Sequence, residues 1–160
     1  PNRTLLHECI QAALRHARDE HRRMALLYVD LDMFKEVNDR FGHSAGDLLL
    51  QETAVRLRRG VAQAGVVGRI GGDEFLVLLD SDCPVEQTLA IAESLRSHLS
   101  EPFTLAGDAV TVSPSIGIAL YPAHGDHYQQ LIRCADEAMY AAKTSGGNRV
   151  RLADGPVAPD

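Results

Sequence analysis

The segment GRIGGDEFLVLL, residues 68–79, limits the possible folds more than any other part of this chain. Its adjacent glycines, Gly71 and Gly72, accept the positive φ angles that tight hairpin turns require. The apolar run after Asp73 and Glu74 is typical of a buried strand, so we expect a hairpin with this turn at its tip. Because charge is costly to bury without a partner, the two acids need a function or a counter-charge.

A second acidic point ends the run MALLYVDLD, residues 24–32, which has the pattern of a buried central strand. Consecutive elements are often neighbours in space, so the hairpin is expected to pair beside this strand. Asp30 would then converge with Asp73 and Glu74. Converging carboxylates favour a divalent cation, and hard oxygen ligands suit Mg²⁺ or Mn²⁺, which commonly hold substrate phosphates.

The segment after Asp32 supports a phosphate site. Residues 33–35 open a predicted helix, and the free N–H groups of a helix N-terminus bind phosphate, with Lys35 adding positive charge. A simpler interpretation stays open, because acids are common in turns and Asp32 suits a helix N-cap as well as a ligand. Asn38 fits a solvated helix end equally well.

The remaining pattern predicts an α+β sandwich, in which a mostly antiparallel central sheet is flanked by helices. Apolar residues recur at helical spacing over 4–23, 34–42, 44–59, 84–99 and 127–144. Further strands are expected over 103–112, 115–122 and 148–152, and Pro114 predicts a sheet edge or a bulge. The expected core residues of the first helix are Leu5, Leu6, Cys9, Ala12 and Ala13, and those of the fourth are Val85, Leu89, Ala92, Leu95 and Leu99.

Composition limits the partners and the compartment. The chain has 160 residues, enough for one domain, and its net charge of −6 argues against nucleic-acid binding and direct contact with anionic membranes. The three scattered cysteines, Cys9, Cys83 and Cys134, predict free thiols in a reducing cytoplasm. No apolar run is long enough to span a membrane. The chain opens without Met, and we expect it to be part of a longer protein that can itself be membrane-anchored.

The motif at 71–75, together with DLDMFKEVNDRFGHSAGDLLL (30–50), SIGIALYP (115–122) and ADEAMYAAK (135–143), closely resembles the GGDEF family of bacterial diguanylate cyclases. The resemblance implies a nucleotidyl-cyclase-like fold over residues 1–152, and the composition of the last segment, ADGPVAPD, predicts a flexible tail at 153–160. The resemblance also implies condensation of two GTP into cyclic di-GMP and two pyrophosphates. The implied cofactor is Mg²⁺ or Mn²⁺, two ions per GTP, and the implied partners are a second copy of the domain and flanking sensor or EAL domains.

The resemblance assigns roles to individual positions. Asp30, the Leu31 carbonyl, Asp73 and Glu74 match metal ligands, and the three acids match catalytic positions, with Glu74 most closely tied to the 3′-hydroxyl proton. The matching substrate-binding positions are Met33, Phe34 and Lys35 for phosphates, Asn38 and Asp47 for guanine, Gly71 and Gly72 beneath the nucleotide, and Lys143 for phosphate. A carboxylate can accept both N1–H and N2–H₂ of guanine, a donor pair that adenine lacks.

Two departures from the family pattern bear on activity. Gly147 stands where an arginine usually contacts phosphate, which predicts weaker GTP binding, with Arg149 as an imperfect substitute. Residues 62–65 read AQAG where many members carry R-x-x-D, so we expect no product inhibition there. The alternative function is a GTP-binding regulatory module without turnover, next to an EAL phosphodiesterase. A purely structural interaction domain would leave the retained acids unexplained.

The other polar and aromatic residues have simpler interpretations. His43 is expected to cap or pack at a helix start. His124 and His127 are expected to be solvated in a loop. Tyr121 and Tyr140 are expected at the edge of the core.

Overall fold

The computed structural model describes residues 3–154. Five helices and seven strands follow one another along this part of the chain, together with a short 3₁₀ turn at Ala62–Ala64. In chain order they are α1 (Arg3–Glu20), β1 (Met24–Asp32), α2 (Phe34–Phe41), α3 (His43–Val61), β2 (Gly65–Gly71), β3 (Glu74–Leu79), α4 (Val85–Leu99), β4 (Phe103–Leu105), β5 (Asp108–Val110), β6 (Ser113–Tyr121), α5 (Tyr128–Thr144) and β7 (Arg149–Leu152).

The main sheet has the strand order β2-β3-β1-β6-β7, so β1 lies at its centre. All neighbouring pairs are antiparallel except β6–β7, which is parallel and connected through α5. β4 and β5 form a separate two-stranded sheet. The prediction of an α+β sandwich with a mostly antiparallel sheet is confirmed, as is the pairing of the hairpin beside β1.

Alternating side chains of β1 enter two different cores, as a strand period of two requires. Leu27 packs with residues of α3 and α4, such as Leu49 and Leu95, on one face. Leu26 packs with residues of α1 and α5 on the other face. Burial on both faces explains why the sequence of β1 is a continuous apolar run rather than an alternating one.

The predicted core face of α1 is confirmed for Leu6, Cys9 and Ala13, which are buried or pack against the core, and is wrong for Leu5 and Ala12. Leu5 is 49% exposed and Ala12 is also exposed. The buried side chains of α1 are Leu6, Ile10, Leu14 and Ala17. The helix also ends earlier than predicted, because His21 takes a left-handed φ of 53° immediately after Glu20.

Two further local predictions, in α4 and at the start of α3, are wrong, and the prediction for Pro114 is confirmed. In α4 Leu89 is 36% exposed, and Thr88 is buried on the core face instead. The helix predicted over 44–59 begins one residue earlier, at His43, with Gly42 at the N-cap and a φ of 94°. Pro114 lies at an edge as predicted: it pairs with Leu31 of β1, and β7 begins its pairing with β6 only at Ser115.

The ends of the described chain bear on three further expectations. Ala153 is buried and its N–H donates to the Ile118 carbonyl at 2.7 Å, so packed chain continues past the predicted boundary at 152. The rest of the predicted tail, 155–160, lies outside the described residues. Cys9, Cys83 and Cys134 are free thiols. Among the helices of residues 3–154, none combines the length and apolar character needed to cross a bilayer.

Candidate active site

The hairpin tip lies beside the end of β1. Asp30 is the Cα partner of Glu74 across the β1–β3 pair, and the Leu31 N–H donates to the Asp73 carbonyl at 3.3 Å. Gly72 takes a φ of 42° in the turn, a left-handed conformation that favours glycine. A Cβ added to either glycine of the turn would meet nothing within 4 Å, so its outer surface is open. The fold thus brings the four predicted metal positions to one end of two adjacent strands.

Asp30 has an unusual environment for a carboxylate. Its Oδ1 is buried and accepts no hydrogen bond within the described part of the chain, although Lys143 Nζ lies 3.3 Å away. Burial, and then the negative charge of Asp73, raise the pKa of Asp30 to about 7, while Lys143 acts in the opposite direction. A buried carboxylate oxygen without a hydrogen bond is a suitable ligand for a hard cation.

The acids fit a metal bound by two carboxylates. In residues 3–154 no three Asp, Glu, His or Cys side chains form a complete metal cluster. The Glu74 carboxylate lies beside the Tyr28 hydroxyl, whose pKa is raised by burial and then by Glu74. Mg²⁺ usually takes one or two carboxylates and completes its shell with water and substrate phosphates. The Asp30–Asp73 pair is of this kind, and Glu74 adds a third acid nearby.

Asp32 is a structural anchor rather than a helix cap. Its carboxylate accepts hydrogen bonds from Ser113 Oγ at 2.8 Å, Ser115 Oγ at 2.8 Å and the Asn148 N–H at 2.9 Å. The N-cap of α2 is Met33, without a side-chain cap hydrogen bond. Asp32 therefore fastens β6 and the loop between α5 and β7 to the end of β1.

The start of α2 presents backbone donors next to the acids. Met33 takes a left-handed φ of 64° and is 65% exposed, and the helix proper begins at Phe34. The first N–H groups of any helix have no intrahelical acceptor, so those of residues 33–35 are available to an anion. Lys35 is exposed in this first turn. The phosphate contacts of residues 33–35 stay a prediction.

Lys143 lies near the end of α5, between two acids of β1. Its Nζ is 3.3 Å from Asp30 Oδ1 and 3.5 Å from Asp32 Oδ1. The side chain is 36% exposed, whereas those of Asp30 and Asp32 are only 14% and 13% exposed. The amine therefore lies at the solvent-facing side of Asp30 and Asp32.

The two predicted guanine-binding residues lie on neighbouring helices. Asn38 on α2 packs its side chain directly on Gly46 of α3, where a Cβ would lie 1.7 Å from Asn38 Oδ1. Asp47 is the next residue of α3, is exposed, and lines a cavity of about 330 Å³ whose apolar wall includes Phe75. A concave site with an apolar wall and a few polar groups suits a nucleobase.

Two arginines beside this cavity were missed by the sequence reasoning. Arg58 lines it from α3, and Arg69 lines it from β2, where its Nε donates to the Gly72 carbonyl at 2.9 Å. The signal for Arg58 was present, because residues 47, 51, 54 and 58 follow helical spacing on one face of α3. Arg69 also ties β2 to the turn.

The loop between α5 and β7 has three consecutive left-handed residues. Gly146, Gly147 and Asn148 have φ angles of 121°, 70° and 49°. A Cβ on Gly147 would lie 2.7 Å from Asp32 Oδ2. Arg149 Nε donates to the Gly147 carbonyl at 3.0 Å, so its guanidinium is folded back on this loop. Residues 62–65 bring no charged side chain to the other end of the hairpin.

Two minor predictions are wrong. His124 is buried at 6% exposure rather than solvated, and its Nδ1 accepts the Leu120 N–H at 2.8 Å. Tyr140 is 65% exposed, whereas Tyr121 is buried as expected. His127 is exposed and lies 3.3 Å from Asp126. Neither histidine joins the acidic site.

Comparison with known proteins agrees with this geometry. Residues 1–149 match the family model described as diguanylate cyclase, GGDEF domain. The chain is 44% identical over 148 residues to the bifunctional diguanylate cyclase/cyclic di-GMP phosphodiesterase MucR of Pseudomonas aeruginosa, which covers 92% of this chain and 22% of MucR. It is 41% identical over 155 residues to the diguanylate cyclase TpbB of the same species, which covers 96% of this chain and 36% of TpbB.

Solved structures are similar in fold. The crystal structure of the GGDEF domain of YfiN, also called TpbB, from P. aeruginosa has a TM-score of 0.94 and 41% identity, with 98% of each chain covered. An EAL/GGDEF domain protein from M. capsulatus has a TM-score of 0.82 and 38% identity, covering 96% of this chain and 99% of that one. The chain belongs to the GGDEF family of diguanylate cyclases. It spans 22% and 36% of the length of MucR and TpbB.

Proposed function

We propose that this domain is a diguanylate cyclase, which condenses two GTP into cyclic di-GMP and two pyrophosphates as a two-fold dimer with Mg²⁺. The observation that carries the proposal is the pairing of Asp30 with the hairpin, which sets Asp73 and Glu74 beside a buried carboxylate oxygen that has no hydrogen bond. The names of the relatives support the same activity.

Different residues would bind the base, the ribose and the phosphates of one GTP. Asp47 and Asn38 would bind the Watson–Crick edge of guanine above the apolar wall of the cavity. The N–H groups of residues 33–35 would bind the terminal phosphates, with Lys35 and Lys143 adding positive charge. Gly71 and Gly72 leave the hairpin surface clear for the ribose and the α-phosphate, because neither carries a side chain.

The acidic residues would act at the reacting phosphorus. Asp30, the Leu31 carbonyl, Asp73 and Glu74 would hold the Mg²⁺ ions, two per GTP, which when bound neutralise the triphosphate and stabilise the leaving pyrophosphate. Glu74 would take the proton of the attacking 3′-hydroxyl. The 3′-oxygen bonds to the α-phosphorus of the other GTP, the bond from that phosphorus to the pyrophosphate breaks, and the same exchange closes the ring.

Turnover needs a second copy of the domain. One domain holds one GTP, and each 3′-hydroxyl must reach the α-phosphate held by the other domain. A two-fold axis would place both sites face to face and make both attacks equivalent. In a full-length protein, flanking sensor or EAL domains would set how often two such domains meet. The regulatory alternative is not favoured, because the acids are retained and the relatives are named as cyclases.

The test is product formation from GTP and Mg²⁺ over a range of protein concentrations. We expect cyclic di-GMP, with a rate per molecule that rises with concentration because the dimer is the active species. Glu74→Gln should abolish product. Glu86→Gln, an exposed glutamate in α4 at the opposite end of β3, is the matched control and should leave the rate unchanged. GTP binding without product at high concentration would instead favour the regulatory alternative.

A further inference from the structure

Lys143 makes ion pairs with two acids that differ in their other hydrogen bonds. Asp32 already accepts three hydrogen bonds, from two serine hydroxyls and the Asn148 N–H, and is fixed in place by them. Asp30 Oδ1 accepts none, and Lys143 Nζ at 3.3 Å is the one cation within ion-pair distance of it among residues 3–154. Asp32 therefore anchors the amine, and Asp30 is the partner that can be exchanged.

When no metal is bound, the Lys143 amine compensates the negative charge of Asp30 and Asp73. Asp30 is mostly buried and lies next to Asp73, so an uncompensated negative charge there would be costly. The amine supplies the compensation from the solvent-facing side. A divalent cation bound to Asp30 would repel the same amine, because both positive charges would lie within a few ångströms of one carboxylate oxygen.

We infer that Lys143 is a built-in counter-cation, which occupies the metal-binding side of Asp30 in the nucleotide-free domain and must leave it before a metal can bind. This inference rests on the proposed function, because it takes Asp30 to be a metal ligand. Asp32 retains the amine close by after the exchange, so Lys143 stays at the site rather than swinging into solvent.

The exchange couples metal binding to nucleotide binding. A triphosphate at the start of α2 offers Lys143 new negative partners beside Asp32, and this lowers the cost of releasing Asp30. Metal and nucleotide should then favour each other's binding, and such a coupling is reciprocal by thermodynamic necessity. Without nucleotide, Lys143 keeps the metal affinity low.

The test measures Mn²⁺ binding to the nucleotide-free domain by the loss of the free-ion electron paramagnetic resonance signal. Lys143→Met should bind Mn²⁺ more tightly than wild type, by about five- to tenfold, the lower part of the range for coupled sites. Arg133→Met is the matched control, since it removes one positive charge from an exposed position of the same helix, ten residues before Lys143, and should change the affinity less than about twofold. GTP affinity should move the other way and fall in Lys143→Met.

Tighter Mn²⁺ binding together with weaker GTP binding distinguishes this role from a structural one. A damaged site would bind both Mn²⁺ and GTP more weakly. Circular dichroism melting checks the fold of each variant. If Lys143→Met is unstable, Lys143→Gln, a neutral side chain that can still donate to Asp32, takes its place with the same expectation. Unchanged or weaker Mn²⁺ binding in a folded variant overturns the inference and leaves the proposed function standing. No Mn²⁺ binding in any variant, even with GTP, overturns both.

Discussion

Gly147 and Asp32 are in such close contact that a Cβ on the glycine would lie 2.7 Å from the carboxylate oxygen Oδ2. The carboxylate cannot move aside easily, because the Asn148 N–H and the Ser113 hydroxyl both bind that same oxygen. Gly147, where the resemblance to the family implies an arginine, thus lies in a tight, left-handed turn around Asp32.

Gly147→Arg should consequently lower stability instead of simply restoring a phosphate contact. A φ of 70° costs a non-glycine residue about 1–2 kcal/mol, and the contact with Asp32 adds to this. We expect a lower melting temperature and no gain in GTP affinity. Gly147→Asn, which tolerates left-handed φ, isolates the cost of the contact alone. A stable Gly147→Arg that binds GTP more tightly would show that the loop and Asp32 rearrange freely.

Asp47→Asn should weaken GTP binding by about 10- to 100-fold, the cost of losing a hydrogen bond to a charged acceptor. The same substitution should weaken the binding of ITP much less. ITP lacks the 2-amino group, so one of the two donors to Asp47 is already missing. Titration calorimetry with both nucleotides measures the difference. Glu52→Gln, an exposed acid of the same helix, is the control. Equal losses for GTP and ITP would place the base elsewhere.

His124 should make stability fall at acidic pH. Burial lowers its pKa below the ordinary 6.5, and the neutral ring accepts the Leu120 N–H at Nδ1. The unfolded chain then binds more protons than the folded one, so stability is lost as the pH falls through 6.5 and continues to decline until the folded-state pKa is reached.

His124→Asn keeps an acceptor for that N–H and removes the titration. Urea unfolding at pH 5 and pH 8 should therefore show a smaller difference for His124→Asn than for wild type. His43→Asn, at the exposed start of α3, serves as the control. An unchanged pH difference in His124→Asn would assign the acid sensitivity to other groups.

Gly117→Ala should be one of the more damaging single-methyl changes in the sheet. A Cβ there would lie 2.1 Å from the Ala135 carbonyl oxygen and 2.2 Å from the Met139 nitrogen, both backbone atoms of α5. We expect a loss of about 1–3 kcal/mol, as for other overpacked cores, measured by urea unfolding. Gly71→Ala, where nothing lies within 4 Å, is the control for the same chemical change. Equal stabilities would mean that α5 can lift away from β6.

Local sequence was enough to predict the strand that carries Asp30 and the hairpin that carries Asp73 and Glu74. The strands β1 and β3 are continuous apolar runs, and the pair Gly71–Gly72 marks the turn between β2 and β3. The core face of α1 was missed in part although its signal was present, because the buried residues Leu6, Ile10, Leu14 and Ala17 follow helical spacing.

Long-range contacts explain the other errors. The segment HGDH around His124 is polar, and nothing local shows that His124 closes back on the Leu120 N–H inside the fold. The role of Asp32 was likewise invisible, since its hydrogen-bond donors come from Ser113, Ser115 and Asn148. Arg58 was predictable in principle from its helical spacing to Asp47.

The anchoring of Asp32 also has a consequence for how the domain folds. Its three donors are 81, 83 and 116 residues away along the chain. Contacts that close such long loops cost the most chain entropy and tend to form after local structure is in place. The serine contacts belong to the β1–β6 pairing, which spans equally long separations, so we expect them to form with that pairing and the more distant Asn148 contact to form last. The opening free energy measured by amide hydrogen exchange should then be smaller at Asn148 than in the middle of β1. The loop at Asn148 can therefore open while the sheet stays intact.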